Sequence, residues 1–296
     1  MAARSGKSST PRLAAGALAL LAASGIAAAN PQRIVSINVC ADALVLELAS
    51  RAAIASVTFM ATDPYFSPRA EEARGIPVNH GQAEEVIAFQ ADLVVVGQYS
   101  GQNAKGLLRA LGYPVFELEL PVAIPQVREQ IRRLAAALGE SARGEALIAR
   151  LDARLSAAQD PGGSPRPLAV IYQPNGFTLG RGSLADELLT WAGIDNLAAQ
   201  AGIRFWGRLP LEQLLLAEPD LLIFEQSPGK APALAQQLLA HPALQRLRAR
   251  VISREIPNSH WTCPGPWLAD AAESLAEARR LWSVEHAVQH RRSADR

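Results

Sequence analysis

Cysteine is scarce in this chain, with two residues in 296. That is too few for the disulfide framework that staples small secreted domains. Lysine is nearly as rare: Lys7, Lys105 and Lys230 are the full set. No run of like charge follows residue 29, so the basic footprint of a nucleic-acid or lipid-surface binder is missing. No HExxH, CxxC, GxSxG or P-loop pattern occurs, and the five histidines show no close metal-ligand spacing before the C-terminal tail. These absences point away from catalysis, and the expected catalytic set is empty. Disorder is excluded as well, because 49% of residues are hydrophobic and only 19% are charged.

What is present begins with an address. Arg4, Lys7 and Arg12 precede an uncharged apolar run from Leu13 to Ile26, and Ala27-Ala28-Ala29 follows. A basic start, a short apolar core and an Ala-x-Ala site read as a cleaved secretory signal over residues 1–29. The run is shorter than the roughly 20 residues a membrane-spanning helix needs. Cleavage would change the balance from 29 basic against 28 acidic residues to 26 against 28. The expected product is an exported, periplasmic protein of nearly neutral charge.

Past the leader, apolar runs alternate with helical patterns. Ile34–Ile37, Ile54–Phe59, Leu93–Gly97 and Val115–Leu118 read as buried strands, with helices at Ala83–Phe89 and Gln102–Leu111. From Ile124, the spacing of Val127, Ile131, Leu134 and Leu138 is helical, as is that of Leu147, Leu151 and Leu155 after Gly139-Glu140-Ser141. Asp160 to Pro165 breaks the helix. A second α/β series opens at Leu168–Tyr172, with a helix at Leu184–Trp191 behind the capping residue Ser183, and strands at Leu221–Phe224 and Val251–Ser253. A closing helix is expected from about Leu268 to Val284.

The two halves carry a shared phrase. Residues 84–95 and 212–223 each open with a glutamate, form a short helical stretch, and reach an Asp-Leu pair eight residues on, ahead of an apolar strand. The expected organisation is an N-terminal α/β lobe over residues 30–123, a helical connector over 124–160, a C-terminal α/β lobe over 161–285 and a flexible tail over 286–296.

Parallel sheets bind ligands beyond the C-terminal ends of their strands, and there the few aromatic residues gather. Phe59, Tyr65 and Tyr99 fall in such loops of the first half; Phe177, Trp261 and Trp267 fall in those of the second, and Trp206 lies in another irregular stretch. Aromatic faces in a cleft suit a large, flat, partly apolar ligand. Arg69, Arg181, Arg204 and Arg208 lie in or beside the same loops and could pair with ligand carboxylates. Gly180-Arg181-Gly182 is a turn signal, not a dinucleotide fingerprint. Asn38 and Cys40 follow the first strand, while Cys263 sits in Trp261-Thr-Cys-Pro-Gly-Pro-Trp267. The two cysteines can bridge the halves, stay separate as small buried residues, or ligate a metal together with His80 and His260. The sequence leaves all three open.

Together, Arg33-Ile-Val-Ser-Ile-Asn38, Ala83-Glu-Glu-Val followed by Ala91-Asp-Leu-Val-Val-Val96, the helical connector, and Leu211-Glu-Gln-Leu followed by Pro219-Asp-Leu-Leu-Ile223 resemble the class III periplasmic substrate-binding proteins of ABC importers. The resemblance spans residues 32–283. It implies an α/β fold of two Rossmann-like lobes with parallel sheets, joined by a single long α-helix, with the ligand in the cleft between them. It implies no enzymatic activity and no cofactor, the cargo being a metal chelate: an iron(III)-siderophore, haem or a cobalamin. It further implies a monomer that docks on an inner-membrane permease and its ATPase through one acidic residue per lobe, by position Glu84 and Glu212. Their alternative role is to complement a helix N-terminus. Competing readings are a zinc or manganese carrier of similar architecture, and an exported enzyme using Cys40 or Cys263 as nucleophile.

Overall fold

The computed structural model describes residues 30–162, 165–225 and 234–294; the leader expected over residues 1–29 lies outside them. The N-terminal lobe runs β1 (Ile34–Ser36), α1 (Val39–Leu48), β2 (Ile54–Thr58), α2 (Ala70–Ala73), β3 (Val78–Asn79), α3 (Ala83–Ala88), β4 (Leu93–Gly97), α4 (Gln102–Ala110) and β5 (Val115–Leu118). Its five strands form a parallel sheet in the order β3-β2-β1-β4-β5.

The connector is where structure and expectation part. In place of one long helix there are two, α5 (Ile124–Ala137) and α6 (Ser141–Ala158). The break is at Gly139, whose backbone is left-handed (φ 74°) and whose missing side chain leaves room for Asn30. α5 starts against the C-terminal lobe, where Glu187 accepts the Ile124 N–H (2.7 Å). α6 starts against the N-terminal lobe, where Arg143 reaches the Ala49 carbonyl, and ends where Trp191 donates to the Leu155 carbonyl (2.7 Å). Arg133 of α5 also pairs with Glu119 of the N-terminal lobe (2.7 Å), so each helix touches both lobes.

The C-terminal lobe continues with β6 (Leu168–Tyr172), β7 (Phe177–Leu179), α7 (Leu184–Trp191), β8 (Asp195–Asn196), α8 (Leu197–Gln200), β9 (Trp206–Arg208), α9 (Leu211–Ala217), β10 (Leu221–Glu225), α10 (Pro242–Arg248), β11 (Ile252–Ile256), α11 (Ser259–Thr262) and α12 (Leu268–Ala294). Its parallel sheet has the order β11-β10-β6-β8, and β7 and β9 form an antiparallel ribbon. α12 extends past Val284 to Ala294, so most of the expected tail is helical.

Alternation along the strands explains the packing. Ile34, Leu93 and Val95 point into one core while Val35, Val94 and Val96 point into another. In the second lobe Ala169, Ile171, Leu221 and Ile223 share that first core, whereas Val170, Tyr172, Leu222 and Phe224 fill a separate outer one. The inner faces of both sheets thus meet the same apolar layer, completed by Ile131, Leu134, Leu151 and Leu155 of the connector and Leu275 of α12.

The shared phrase has a structural cause. Asp92 accepts the N–H groups of Gln32 (2.7 Å) and Arg33 (2.9 Å) at the start of β1, and Asp220 accepts the Leu168 N–H (2.8 Å) at the start of β6. Each aspartate fixes its strand beside the first strand of its lobe. The preceding helix ends in a left-handed residue in both copies, Gln90 (φ 53°) and Glu218 (φ 43°).

Asp42, fully buried in the first turn of α1, ties that helix to β2 by accepting the Thr58 N–H (3.2 Å) and hydroxyl. Burial pushes its pKa up to about 7, against the hydrogen bonds of Ser36 and Thr58 that pull it down. In the unfolded chain the same carboxyl titrates at about 4. Between these values the folded state holds the extra proton, so this group's contribution to stability is present at low pH and is lost as pH rises through about 7. Asp42→Asn should therefore flatten the fall in Tm across that window. An unchanged slope in thermal melts would exclude Asp42 as the titrating group.

Candidate functional site

In each sheet the chain reverses its strand order beside the first strand, between β1 and β4 in one lobe and between β6 and β10 in the other. The carboxyl ends at such switch points are where open α/β sheets bind ligands. In the first lobe that point holds Asn38, which caps α1 by accepting the N–H groups of Cys40 and Ala41 (3.1 Å each) and donates to the Ser100 hydroxyl (3.0 Å). Its polar atoms are thus engaged in shaping the loop. In the second lobe the corresponding ends are Gln173 and Glu225.

Between the lobes opens a cavity of about 380 Å³. Its lining is mostly apolar: Leu120 and Val122 ahead of the connector, Leu179 and Leu184 from the second lobe, then Phe205, Trp206 and Trp261. Trp206 stacks on Phe177 with ring centres 4.0 Å apart and planes 7° from parallel, and the Arg208 guanidinium lies 4.7 Å from the Phe177 centre. This three-layer stack holds the Trp206 indole rigid while leaving it 57% exposed.

Backbone geometry puts those rings there. Gly180 packs so closely on Ile203 that any side chain would collide with its carbonyl. That approach lets Arg181 donate its N–H to the Ile203 carbonyl and accept the Phe205 N–H (2.9 Å each). Phe205 takes the left-handed conformation (φ 54°), unusual for a residue with a side chain, and remains half exposed.

Three arginines flank these rings. Among the described residues, Arg181, Arg204 and Arg208 have no carboxylate partner, although twelve other arginines form ion pairs. The Arg204 guanidinium lies over the Phe205 ring, 5.9 Å from its centre. Arg69, expected near the same loops, instead pairs with Glu47 and Glu72. It lines a second, more polar cavity of about 350 Å³ with Arg150, Arg154, His260, Trp267 and Asp270.

The other expected residues divide. Trp261 lines the first cavity with little exposure, but Trp267 is core: it is 4% exposed, donates to the Cys263 carbonyl (2.5 Å) and faces the second cavity. Its indole is consumed in packing the turn after α11, which removes it as a contact for cleft ligands. Phe59 stacks on His80 (5.3 Å), itself bonded to Glu85, and Tyr99 stands 74% exposed on the first lobe. Neither ring lines the 380 Å³ cavity. Cys40 and Cys263 are joined by a disulfide. Neither sulfur is then free to act as a nucleophile or to ligate a metal with His80 and His260. No three His, Cys, Asp or Glu side chains converge as a metal set among the described residues.

Glu225 was missed by sequence reasoning, although the strand-end rule applied to β10 points to it. Its carboxylate accepts the Tyr65 hydroxyl (2.9 Å), a bond from one lobe to the other, and Asn258 also donates to the Tyr65 carbonyl (3.4 Å). Burial raises the Glu225 pKa, opposed by that hydrogen bond. Burial and then the Glu225 charge push the Tyr65 phenol up to about 12. Leu120 and Val122 were missed because they read as an ordinary apolar lead into a helix.

Known proteins share this architecture. The family model described as periplasmic binding protein matches residues 34–250. A cobalamin-binding protein of Halobacterium salinarum is 24% identical over 257 residues, covering 84% of this chain and 69% of its own. A vitamin B12-binding protein of Salmonella typhimurium is 27% identical over 191 residues, covering 62% and 70%. Among solved structures, the periplasmic heme-binding protein RhuT of Roseiflexus sp. RS-1, in apo form, superposes with a TM-score of 0.71 and 26% identity, over 85% of this chain and 98% of that one.

Removing the Tyr65 hydroxyl leaves the half-buried Glu225 carboxylate without its partner. Tyr65→Phe should cost about 1 kcal/mol in urea denaturation and raise the Glu225 pKa, read by carboxyl NMR. Neither change would mean the pair contributes nothing across the cleft.

Proposed function

The chain belongs to the periplasmic binding protein family, whose members carry solutes and make no bonds in them. From that premise we propose that it captures a large, flat, anionic metal chelate between its lobes and hands it to an ABC permease. The chelate is of the corrinoid, haem or ferric-siderophore class. The observation that carries this reading is the Trp206–Phe177–Arg208 stack beside Arg181 and Arg204, which lack acidic partners among the described residues. An exposed indole held parallel to a second ring offers a platform for a conjugated macrocycle. Guanidinium groups without carboxylates of their own are poised for the carboxylates or phosphate of a ligand. Two relatives are named for cobalamin and one structural neighbour for haem, which agrees with cargo of this size and shape.

Delivery is assigned to Glu84 and Glu212. They occupy the same place in the shared phrase, in the first turns of α3 and α9, and both are exposed. Neither carboxylate has a hydrogen-bond or ion-pair partner among the described residues, so both are free to meet cationic side chains. Export to the periplasm is assigned to the leader at residues 1–29.

Titration of the intrinsic fluorescence with haemin, cyanocobalamin and a ferric hydroxamate siderophore tests the cargo. Trp206 and Trp261 line the cavity and serve as reporters, and Trp261 remains to report in the Trp206→Ala variant. One ligand should quench the fluorescence, and Trp206→Ala should weaken that ligand about tenfold, the equivalent of about 1.4 kcal/mol. No quenching by any of the three, or full affinity in the variant, would overturn the assignment. The Glu84→Lys, Glu212→Lys double variant should bind its ligand normally yet fail to support uptake in cells; normal uptake removes both residues from docking.

A further inference from the structure

Cys40 and Cys263 lie 223 residues apart in sequence, yet their Cα atoms are 4.9 Å apart and their sulfurs are bonded. Cys40 belongs to α1 of the first lobe, Cys263 to the turn between α11 and α12 of the second. The bond is a covalent link between the lobes additional to the α5–α6 passage. Together with the shared apolar layer, it restricts how the lobes can move against each other. The bond also borders the cleft, because Thr262 and Pro264 on either side of Cys263 line the aromatic cavity, and Cys40 Sγ lies 4.0 Å from the Thr262 carbonyl.

The two sulfurs differ in access. Cys263 is fully buried, whereas Cys40 is partly exposed in the first turn of a ten-residue helix capped by Asn38. A thiolate at Cys40 would face the positive end of that helix, which stabilises it.

We propose that this disulfide is an exchangeable latch, which a dithiol reductant opens while both lobes stay folded, so that the cleft releases its ligand faster. The release part rests on the carrier reading above; the exchange itself does not. One thiolate of the dithiol attacks Cys40 Sγ, the Cys40–Cys263 bond breaks, and Cys263 leaves and takes a proton from water. The second thiolate then attacks the reductant's own sulfur in the mixed disulfide and expels Cys40, whose charge the helix N-terminus stabilises. The dithiol loses two electrons and becomes a disulfide, and the protein gains two thiols. The shared core of α5, α6 and α12 and the Tyr65–Glu225 bond still hold the lobes together. Wider excursions at the cleft become available, and lost preorganisation of this kind appears mainly in the dissociation rate.

The test compares oxidised protein, protein treated with dithiothreitol, and the Cys40→Ser, Cys263→Ser double variant. Thiol titration without denaturant should show two new thiols after treatment, with Cys40 alkylated first by mass spectrometry. Amide hydrogen exchange should quicken in the segment around Cys263, at the N–H groups of residues 261–263. Haemin and cyanocobalamin serve as ligand probes, and whichever the oxidised protein binds should leave the reduced protein and the double variant about tenfold faster. Dithiothreitol should change nothing in the double variant. If neither probe binds the oxidised protein, the ferric hydroxamate takes their place, and thiol titration and exchange decide the latch without any ligand. Thiols that appear only in denaturant, or reduction with unchanged exchange at 261–263, would overturn the latch. Should the double variant not fold, reversible reduction of the native chain carries the test.

Discussion

Leu134, Leu151, Leu155 and Leu275 lie in an apolar layer onto which the inner faces of both sheets pack. Because the two lobes share that layer, neither can tilt far without opening apolar contacts to water. The ion pairs of α6 follow the same plan: Arg150 pairs with Glu47 of α1, and Arg154 with Asp270 and Glu273 of α12. The helical passage is thus gripped by both lobes. It serves as a common spine more than as a free hinge, and the cleft geometry is largely set before any ligand arrives.

The cleft follows from what that spine leaves uncovered. The carboxyl ends of the strands cannot be buried by the shared layer, so loops fill them. In the second lobe the β7–β9 ribbon and the turn before β9 bring Phe177, Phe205 and Trp206 together, with Gly180 closely approaching Ile203. Among the described residues twelve arginines form ion pairs, whereas the three beside the rings have no carboxylate partner. A guanidinium stacked on an aromatic face keeps its geometry without an acid to hold it.

Much of this was legible beforehand. The apolar runs located most of the strands within two residues, since strands buried on both faces carry an unmistakable signal. The repeated Glu…Asp-Leu phrase also reads correctly as two related halves, and the structure supplies its reason in the carboxylates of Asp92 and Asp220 that seat β4 and β10 beside the first strands. The short strands β3, β7, β8 and β9 carry too little pattern to be seen, so Phe177 and Trp206, expected in irregular stretches, lie instead in the β7–β9 ribbon. Trp267 illustrates the limit for side chains: its place near Trp261 suggested a shared role, yet a turn of a few residues sends the two indoles into different cavities.

The sequence by itself determined the alternation of strand and helix and the two-lobed plan, and it pointed to the strand ends where the candidate site is placed, because each depends on periodicity, local turns and the ends of strands. Only the tertiary structure decided that Cys40 meets Cys263, that Tyr65 reaches Glu225, and which arginines lack an acid. Those are contacts between residues tens to hundreds of positions apart. Their distances are set by how the shared apolar layer packs the lobes, and no local pattern encodes that.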